Sequence, residues 1–246
     1  MKTSLKKLVA VIFLMTAISC TKEPFKSNSV QSSRISDKSS GQALVPGNDA
    51  TDTYASVQIG TQKFMTKNLS VTHYRNGDRI PQVKGKVAWG ALTTGAWCWY
   101  NNDSATYAAT YGRLYNWYAV HDPRGLAPTG WHIPSDSEWT ALSNLLGGAA
   151  VAGGKMKSTG TIEAGTGLWS APNTGATNSS GFTGLPGGYR NYDGTFNAIG
   201  SVGHWWSSTE NNTAIAWYRF LVYDDRGIGR YGYGEQSGFS VRCLRD

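Results

Sequence analysis

Charge is scarce in this chain of 246 residues: Asp, Glu, Lys and Arg together make up 16%. The formal net charge is +7, and removing Lys2, Lys6 and Lys7 leaves +4 for everything after residue 19. That balance is too mild and too scattered for a nucleic-acid surface, so no nucleic-acid partner is expected. Long apolar runs are missing as well. The N-terminal one, residues 8–18, falls short of the roughly 20 residues that span a bilayer. Cysteine is limited to Cys20, Cys98 and Cys243, and the histidines are His73, His121, His132 and His204. No two of these stand at the short spacing of a zinc motif, so no metal and no cofactor is expected. A Gly-x-Ser-x-Gly elbow is absent, and Gly153-Gly154 and Gly187-Gly188 lack the strand–helix context of a phosphate loop.

What is present is aromatic surface and glycine. The chain holds 10 Trp, 13 Tyr, 7 Phe and 30 Gly, and every Trp and Tyr lies from Tyr54 onward. A disordered or fibrous chain would lack that aromatic surface, and a mostly helical one would not carry so much Gly. A single domain over residues 54–246 is expected, long enough to bury roughly 70% of its unfolded surface.

The first 53 residues read as an address. Lys2, Lys6 and Lys7 form a basic n-region, residues 8–18 an apolar h-region, and Ala17-Ile18-Ser19-Cys20 follows. This is similar to a bacterial lipobox, which implies a signal peptide over 1–19 and a lipidated Cys20 anchoring the chain to a membrane. An ordinary signal peptide with an incidental Cys is the alternative. Two acyl chains on Cys20 would hold the protein stably where one would not. Residues 20–53 carry seven Ser, balanced charge and no apolar period, the composition of a flexible tether. The expected location is the bacterial cell envelope, lipid-anchored in the outer membrane and facing the cell surface, with the periplasmic face as the alternative. In such a compartment the two leftover thiols pair, so a Cys98–Cys243 disulfide is expected, against two buried free thiols.

Along the domain the pattern predicts short strands at 54–59 and 63–71, with a tight turn at Asn76-Gly77 and another at Asp193-Gly194. Two helices are predicted. One covers 107–120, where Tyr111, Leu114, Tyr115 and Tyr118 fall at helical spacing. The other opens with the capping box of Ser135 and Glu138, carries Trp139, Leu142, Leu145 and Leu146 on one stripe, and stops at Gly147-Gly148. Residues 149–188 read as irregular, and 205–208, 216–222 and 239–244 as strands. This is an α+β domain with short antiparallel strands and much irregular loop.

Several separated motifs carry a resemblance. They are Ile-Gly-Thr-Gln (59–62), Phe64-Met65 with Asn68-Leu69, Tyr-Gly-Arg-Leu-Tyr-Asn-Trp-Tyr-Ala-Val (111–120), and Ala-Pro-Thr-Gly-Trp-His-Ile-Pro (127–134) with Glu138-Trp139. Further along are Asn-Ser-Ser-Gly-Phe (178–182), Leu-Pro-Gly-Gly (185–188), Trp-Ser-Ser-Thr-Glu (206–210) and Gly-Phe-Ser-Val-Arg-Cys (238–243). Together, over residues 54–246, they resemble the Fibrobacter succinogenes major paralogous domain. The resemblance implies a fold related to the formylglycine-generating enzyme and to C-type lectin-like domains. It implies a secreted protein or lipoprotein, and it assigns no activity. It also implies that Trp117, Trp131, Trp139 and Trp217 fill the core of a loop-rich domain, and that His132 is a hydrogen-bonded structural side chain.

The chemistry of those relatives is not carried over. Formylglycine-generating enzymes use two nearby C-terminal Cys, and here Cys243 stands alone at that end. C-type lectins hold calcium with Glu-Pro-Asn or Gln-Pro-Asp and Trp-Asn-Asp motifs, and none occurs. His121-Asp122 is a weak base–orienter pair, and of Glu138, Glu163, Glu210 and Glu235 nothing places two together as a glycosidase requires. The segment 223–235 is the most suggestive. Tyr223, Asp224, Asp225, Arg226, Arg230, Tyr231 and Tyr233 combine rigid amphipathic rings with polar groups, as binding surfaces do. The plainer reading is a β-hairpin whose Tyr cover a sheet. The variable proteins of diversity-generating retroelements, which share the lectin-like fold and show a Tyr-rich C-terminal surface, are similar in this respect. The expected function is a lipid-anchored binding or adhesion module presenting this surface to a glycan or protein. The alternatives are an enzyme, either formylglycine-generating-like or a carbohydrate-active hydrolase, and a structural envelope or filament component.

Overall fold

A computed structural model describes residues 54–246. The signal peptide, the lipidated Cys20 and the tether predicted for 1–53 lie outside the described residues. In chain order the elements are β1 (Ser56–Ile59), β2 (Gln62–Met65), α1 (Lys86–Gly90), β3 (Trp97–Cys98), α2 (Ser104–Tyr111), β4 (Leu114–Tyr115), α3 (Trp117–Val120) and β5 (Trp131–His132). They continue with α4 (Asp136–Leu145), α5 (Ala149–Met156), β6 (Gly187–Arg190), β7 (Phe196–Ile199), β8 (Val202–Asn212), β9 (Ile215–Val222), β10 (Gly229–Gly234) and β11 (Leu244–Arg245). The class is α+β, with short helices and mostly strands.

Local chemistry explains the first hairpin. The alternating run at 56–59 turns at Gly60, whose φ of 60° suits a residue without Cβ, and Ile59 then pairs with Gln62. The C-terminal β11 enters beside β2 and β5, giving the sheet order β1-β2-β11-β5. A larger sheet runs β10-β9-β8-β6-β7, antiparallel except where Gly188 of β6 pairs with Gly203 of β8.

The helix predicted over 107–120 is corrected. Asp103 caps α2 by accepting from the Thr106 N–H, but the helix ends at Tyr111 because Gly112 adopts φ 72°. A short strand follows, and Asn116 then caps the separate α3. The helix predicted after Pro134 forms with its capping box, but Leu145 of the predicted stripe is 57% exposed. Ser135 accepts from the Glu138 N–H while the Glu138 carboxylate accepts from the Ser135 N–H, and Trp139 and Leu142 are buried. The stretch read as irregular contains a further helix, α5. Its Gly153 and Gly154 face the backbone carbonyls of Gly227 and Gly175, where a Cβ would collide.

Two arginines are buried completely and held by neutral oxygens. Arg242 donates to Asn68 Oδ1, to Met65 O and to Phe182 O, with its guanidinium stacked on Phe182. Trp205 Nε1 donates to the same Asn68 oxygen. Thus the separated motifs at 64–69, 178–182 and 238–243 meet at one guanidinium. Arg190 donates to the carbonyls of Val83, Lys84 and Gly194 between the rings of Trp89 and Phe196. Burial pulls the pKa of Arg242 down to about 9, which still leaves it charged at neutral pH.

Trp117, Trp131 and Trp139 are core, as expected, but Trp217 is half-buried and carries Arg230 over its ring at 3.5 Å. The expected Cys98–Cys243 bridge is corrected too. Both are buried free thiols in different core clusters, Cys98 beside Trp89 and Tyr100, Cys243 beside Met65 and Trp131. Burial pushes each thiol up to about 12, so both stay protonated and inert at neutral pH.

Candidate functional site

The suggestive segment 223–235 is the turn that follows β9 and then β10. The register is Arg230↔Arg219, Tyr231↔Tyr218 and Tyr233↔Ala216, and directly paired residues share a sheet face. The hairpin therefore sorts its arginines and tyrosines onto opposite sides.

The arginine side is a structural clamp. Asp136, in the first turn of α4, accepts from Arg219 at 2.6 Å and from Arg230 at 2.9 Å. Arg219 also donates to Thr140 Oγ1, and Arg230 stacks on Trp217. Burial pushes the Asp136 carboxyl up, but the bonds from Arg230 and Arg219 outweigh it and hold the pKa below the usual range. Arg230 is thus committed to joining β10 to α4.

The tyrosine side is a continuous ring assembly. Tyr233 meets Tyr189 at 6.2 Å, Tyr192 at 6.5 Å and Tyr218 at 5.9 Å between centroids. Tyr218 meets Phe220 at 5.6 Å. Beneath them Tyr189 stacks on His204 at 4.7 Å, and Phe239 closes the floor. Tyr231 and Tyr192 are 66% and 56% exposed, while Tyr189, Phe220 and Tyr233 are half-buried. The Tyr233 hydroxyl donates to Asn191 Oδ1 at 3.0 Å, and burial raises its pKa. His204 is buried, its Nδ1 has no hydrogen-bond partner among the described residues, and burial pushes its pKa down to about 3. It is a neutral ring in an aromatic floor.

The turn residues belong to a third environment. Lys157, buried beneath the turn, donates to the carbonyls of Val222 at 2.9 Å and Asp225 at 2.7 Å. Burial lowers its pKa to about 8 against the pull of Asp225 and Asp224. Tyr223 packs on the core cluster of Trp169 and Leu221. Asp225 accepts from the Gly227 N–H, and Arg226 O accepts from Gly154 N–H. Asp224 and Arg226 are exposed at this end, away from the ring assembly. Of the seven predicted residues, then, Tyr231 and Tyr233 sit together on the aromatic face. Arg230 is in the clamp, and Tyr223, Asp224, Asp225 and Arg226 form the anchored turn.

Sequence reasoning missed Tyr189, Tyr192, His204, Tyr218 and Phe220. Alternation within 216–222 and the Asp193-Gly194 turn were visible signals, but only strand order brings β6 beside β8, which in turn pairs with β9. Elsewhere, His132 bonds Asp246 through Nδ1 at 2.7 Å and Glu138 through Nε2 at 3.0 Å, on the wall of a cavity of about 620 Å³. This agrees with its reading as a hydrogen-bonded structural side chain. His121 stacks on Trp117 at 4.6 Å, while Asp122 is bound by Arg124, so the two do not form a base–orienter pair. Among the described residues no group of three or more His, Cys, Asp or Glu is arranged to hold a metal ion.

The family model described as the Fibrobacter succinogenes major domain matches residues 57–245. No curated protein and no solved structure matches the chain.

Proposed function

Because this chain belongs to the Fibrobacter succinogenes major domain family, whose description names no activity, we propose a function from its own geometry: a binding or adhesion module whose contact surface is the tyrosine face of the β10-β9-β8-β6-β7 sheet. One observation carries the reading. Tyr192 is joined through Tyr233 to Tyr189 and Tyr218 as one ring surface, and Tyr231, directly opposite Tyr218 in the ladder, lies on the same sheet face; Tyr231 and Tyr192 are the most exposed aromatic rings among the described residues. Tyrosine is suited to this role because it offers large contact area for two side-chain torsions and a hydroxyl at its tip. Exposed apolar patches of this kind mark interaction sites.

The binding reading is preferred to catalysis because the carboxylates at the start of α4 are spent on architecture, which leaves Glu235, raised by burial and by Glu210, as the upward-shifted acid outside that set among the described residues. Asp136 is shared by two arginines, and Glu138 is divided between a helix cap and His132. The Asp and Arg of the hairpin are accordingly removed from the proposed contact set, and Tyr189 and Tyr192 are added. The same reading makes the domain a relative of the C-type lectin-like and formylglycine-generating-enzyme fold, which its α+β class supports. It holds the domain to the bacterial envelope by lipid on Cys20, as the lipobox-like 17–20 supports. A glycan or a surface protein is the partner class.

The test is photo-crosslinking from position 231 of the full chain on its own cells. A specific adduct is expected from 231 and none from position 145, an exposed site on α4 away from the ring assembly. Equal labelling from both positions would sink the assignment.

A further inference from the structure

Resting on the tyrosine face as the contact surface, we infer that its ligand is an uncharged saccharide chain. The first support is the small net charge beside the rings. The hairpin's Arg219 and Arg230 lie on the opposite side of the sheet, bonded to Asp136. Among the described residues the carboxylate that reaches Tyr233 electrostatically is Asp193, and it already accepts from the Thr195 N–H and hydroxyl beside Lys86. The exposed charges beside the face, Asp193 and Lys86, are opposite in sign and 4.0 Å apart, so little net charge is left to offset the desolvation of a charged ligand.

The second support is what the face offers instead. Rings of Tyr189, Tyr192 and Tyr233 lie edge-on or tilted to one another, presenting both π surfaces and hydroxyls. A sugar ring has a C–H face with partial positive charge, which stacks on the negative face of an aromatic ring, and a rim of hydroxyls that both donate and accept. The phenol groups and Asn191 can meet that rim.

The third support is shape. The rings are spread over strands β6, β9 and β10 and the β6–β7 turn, so the contact surface is extended along the sheet. A small apolar ligand needs a pocket that buries most of it, whereas an extended chain can bind along a surface by repeating weak contacts.

The experiment is affinity electrophoresis of the full chain through gels holding neutral polysaccharides (a β-glucan, a galactomannan, a starch) or acidic ones (an alginate, a pectin), at low and high salt. Retardation by at least one neutral polymer is expected, unchanged by salt, since screening acts on charge and not on stacking. Tyr231→Ala and Tyr192→Ala should each weaken it at least about tenfold. Both side chains are largely exposed, so loss of folding does not intervene, and unchanged tryptophan fluorescence verifies this. No retardation in any neutral gel, or retardation confined to acidic gels and abolished by salt, overturns the inference. If neutral gels do nothing while position 231 still crosslinks to a protein, the tyrosine face stands as the contact surface and the saccharide falls. If neither occurs, both fall.

Discussion

His204 and the two caged arginines show what single residues contribute. His204 titrates at about 3 in the folded domain because it is buried, against about 6.5 when unfolded. The folded state therefore binds fewer protons than the unfolded state between these values. Its contribution to stability is complete above pH 6.5 and is lost as pH falls toward 3, at up to about 1.4 kcal/mol per pH unit. Denaturant melts from pH 7 to pH 4 should show that slope, and His204→Phe should flatten it; an unchanged slope would mean another group titrates. Arg190 and Arg242 make a different point. Each uses a planar fork to reach several carbonyl or amide oxygens at once. Lysine keeps the charge but not the fork. Arg242→Lys is expected to cost about 3 kcal/mol or more, because Phe182 O would lose its donor inside the core and Asn68 Oδ1 would keep only Trp205 Nε1. Urea melts check this, and a loss below about 1 kcal/mol would show the cage to be dispensable.

Among elements, the decisive contact is between α4 and β9–β10. Asp136 lies in the first turn of α4, where its charge also suits the helix dipole. Asp136→Ala would leave Arg219 buried without its anion and should destabilise by about 3–5 kcal/mol, whereas Arg230→Ala, at an exposed partner, should cost about 1 kcal/mol or less. Thermal melts of the two variants should differ clearly; equal shifts would mean that the clamp is not centred on Arg219. The helix α4 itself was legible in the sequence because its signal is local: a capping box, a stripe and a Gly-Gly stop. The 107–120 prediction failed because Gly112 breaks a run whose apolar spacing serves a helix, a strand and a second helix in turn. Helix α5 was hidden because its Gly153 and Gly154 answer to a distant backbone, Gly227 and Gly175, which local spacing does not encode.

On the scale of the whole molecule, composition announced an aromatic, glycine-rich α+β domain but not which rings would meet. Tyr231 and Tyr233 were legible as part of a Tyr-rich hairpin. Tyr189, Tyr192 and His204 joined them only through strand order, since β6 reaches β9 by way of β8. The cysteine reading depended on compartment, whereas the fold puts Cys98 and Cys243 in separate clusters. Thiol titration of the purified domain should find both unreactive when native and both reactive after unfolding in denaturant; no thiols after unfolding would restore the disulfide. Loss of fatty-acid labelling in Cys20→Ser would support the anchor. The central claim is that the tyrosine face is where this protein meets its partner. Nitration footprinting of tyrosines, read by mass spectrometry on purified full-length protein and on intact cells, tests it most directly. Tyr231 and Tyr192 should react readily when purified and be protected on cells, while the buried Tyr115 stays unreactive in both. Equal reactivity of Tyr231 and Tyr192 in the two settings would contradict the account.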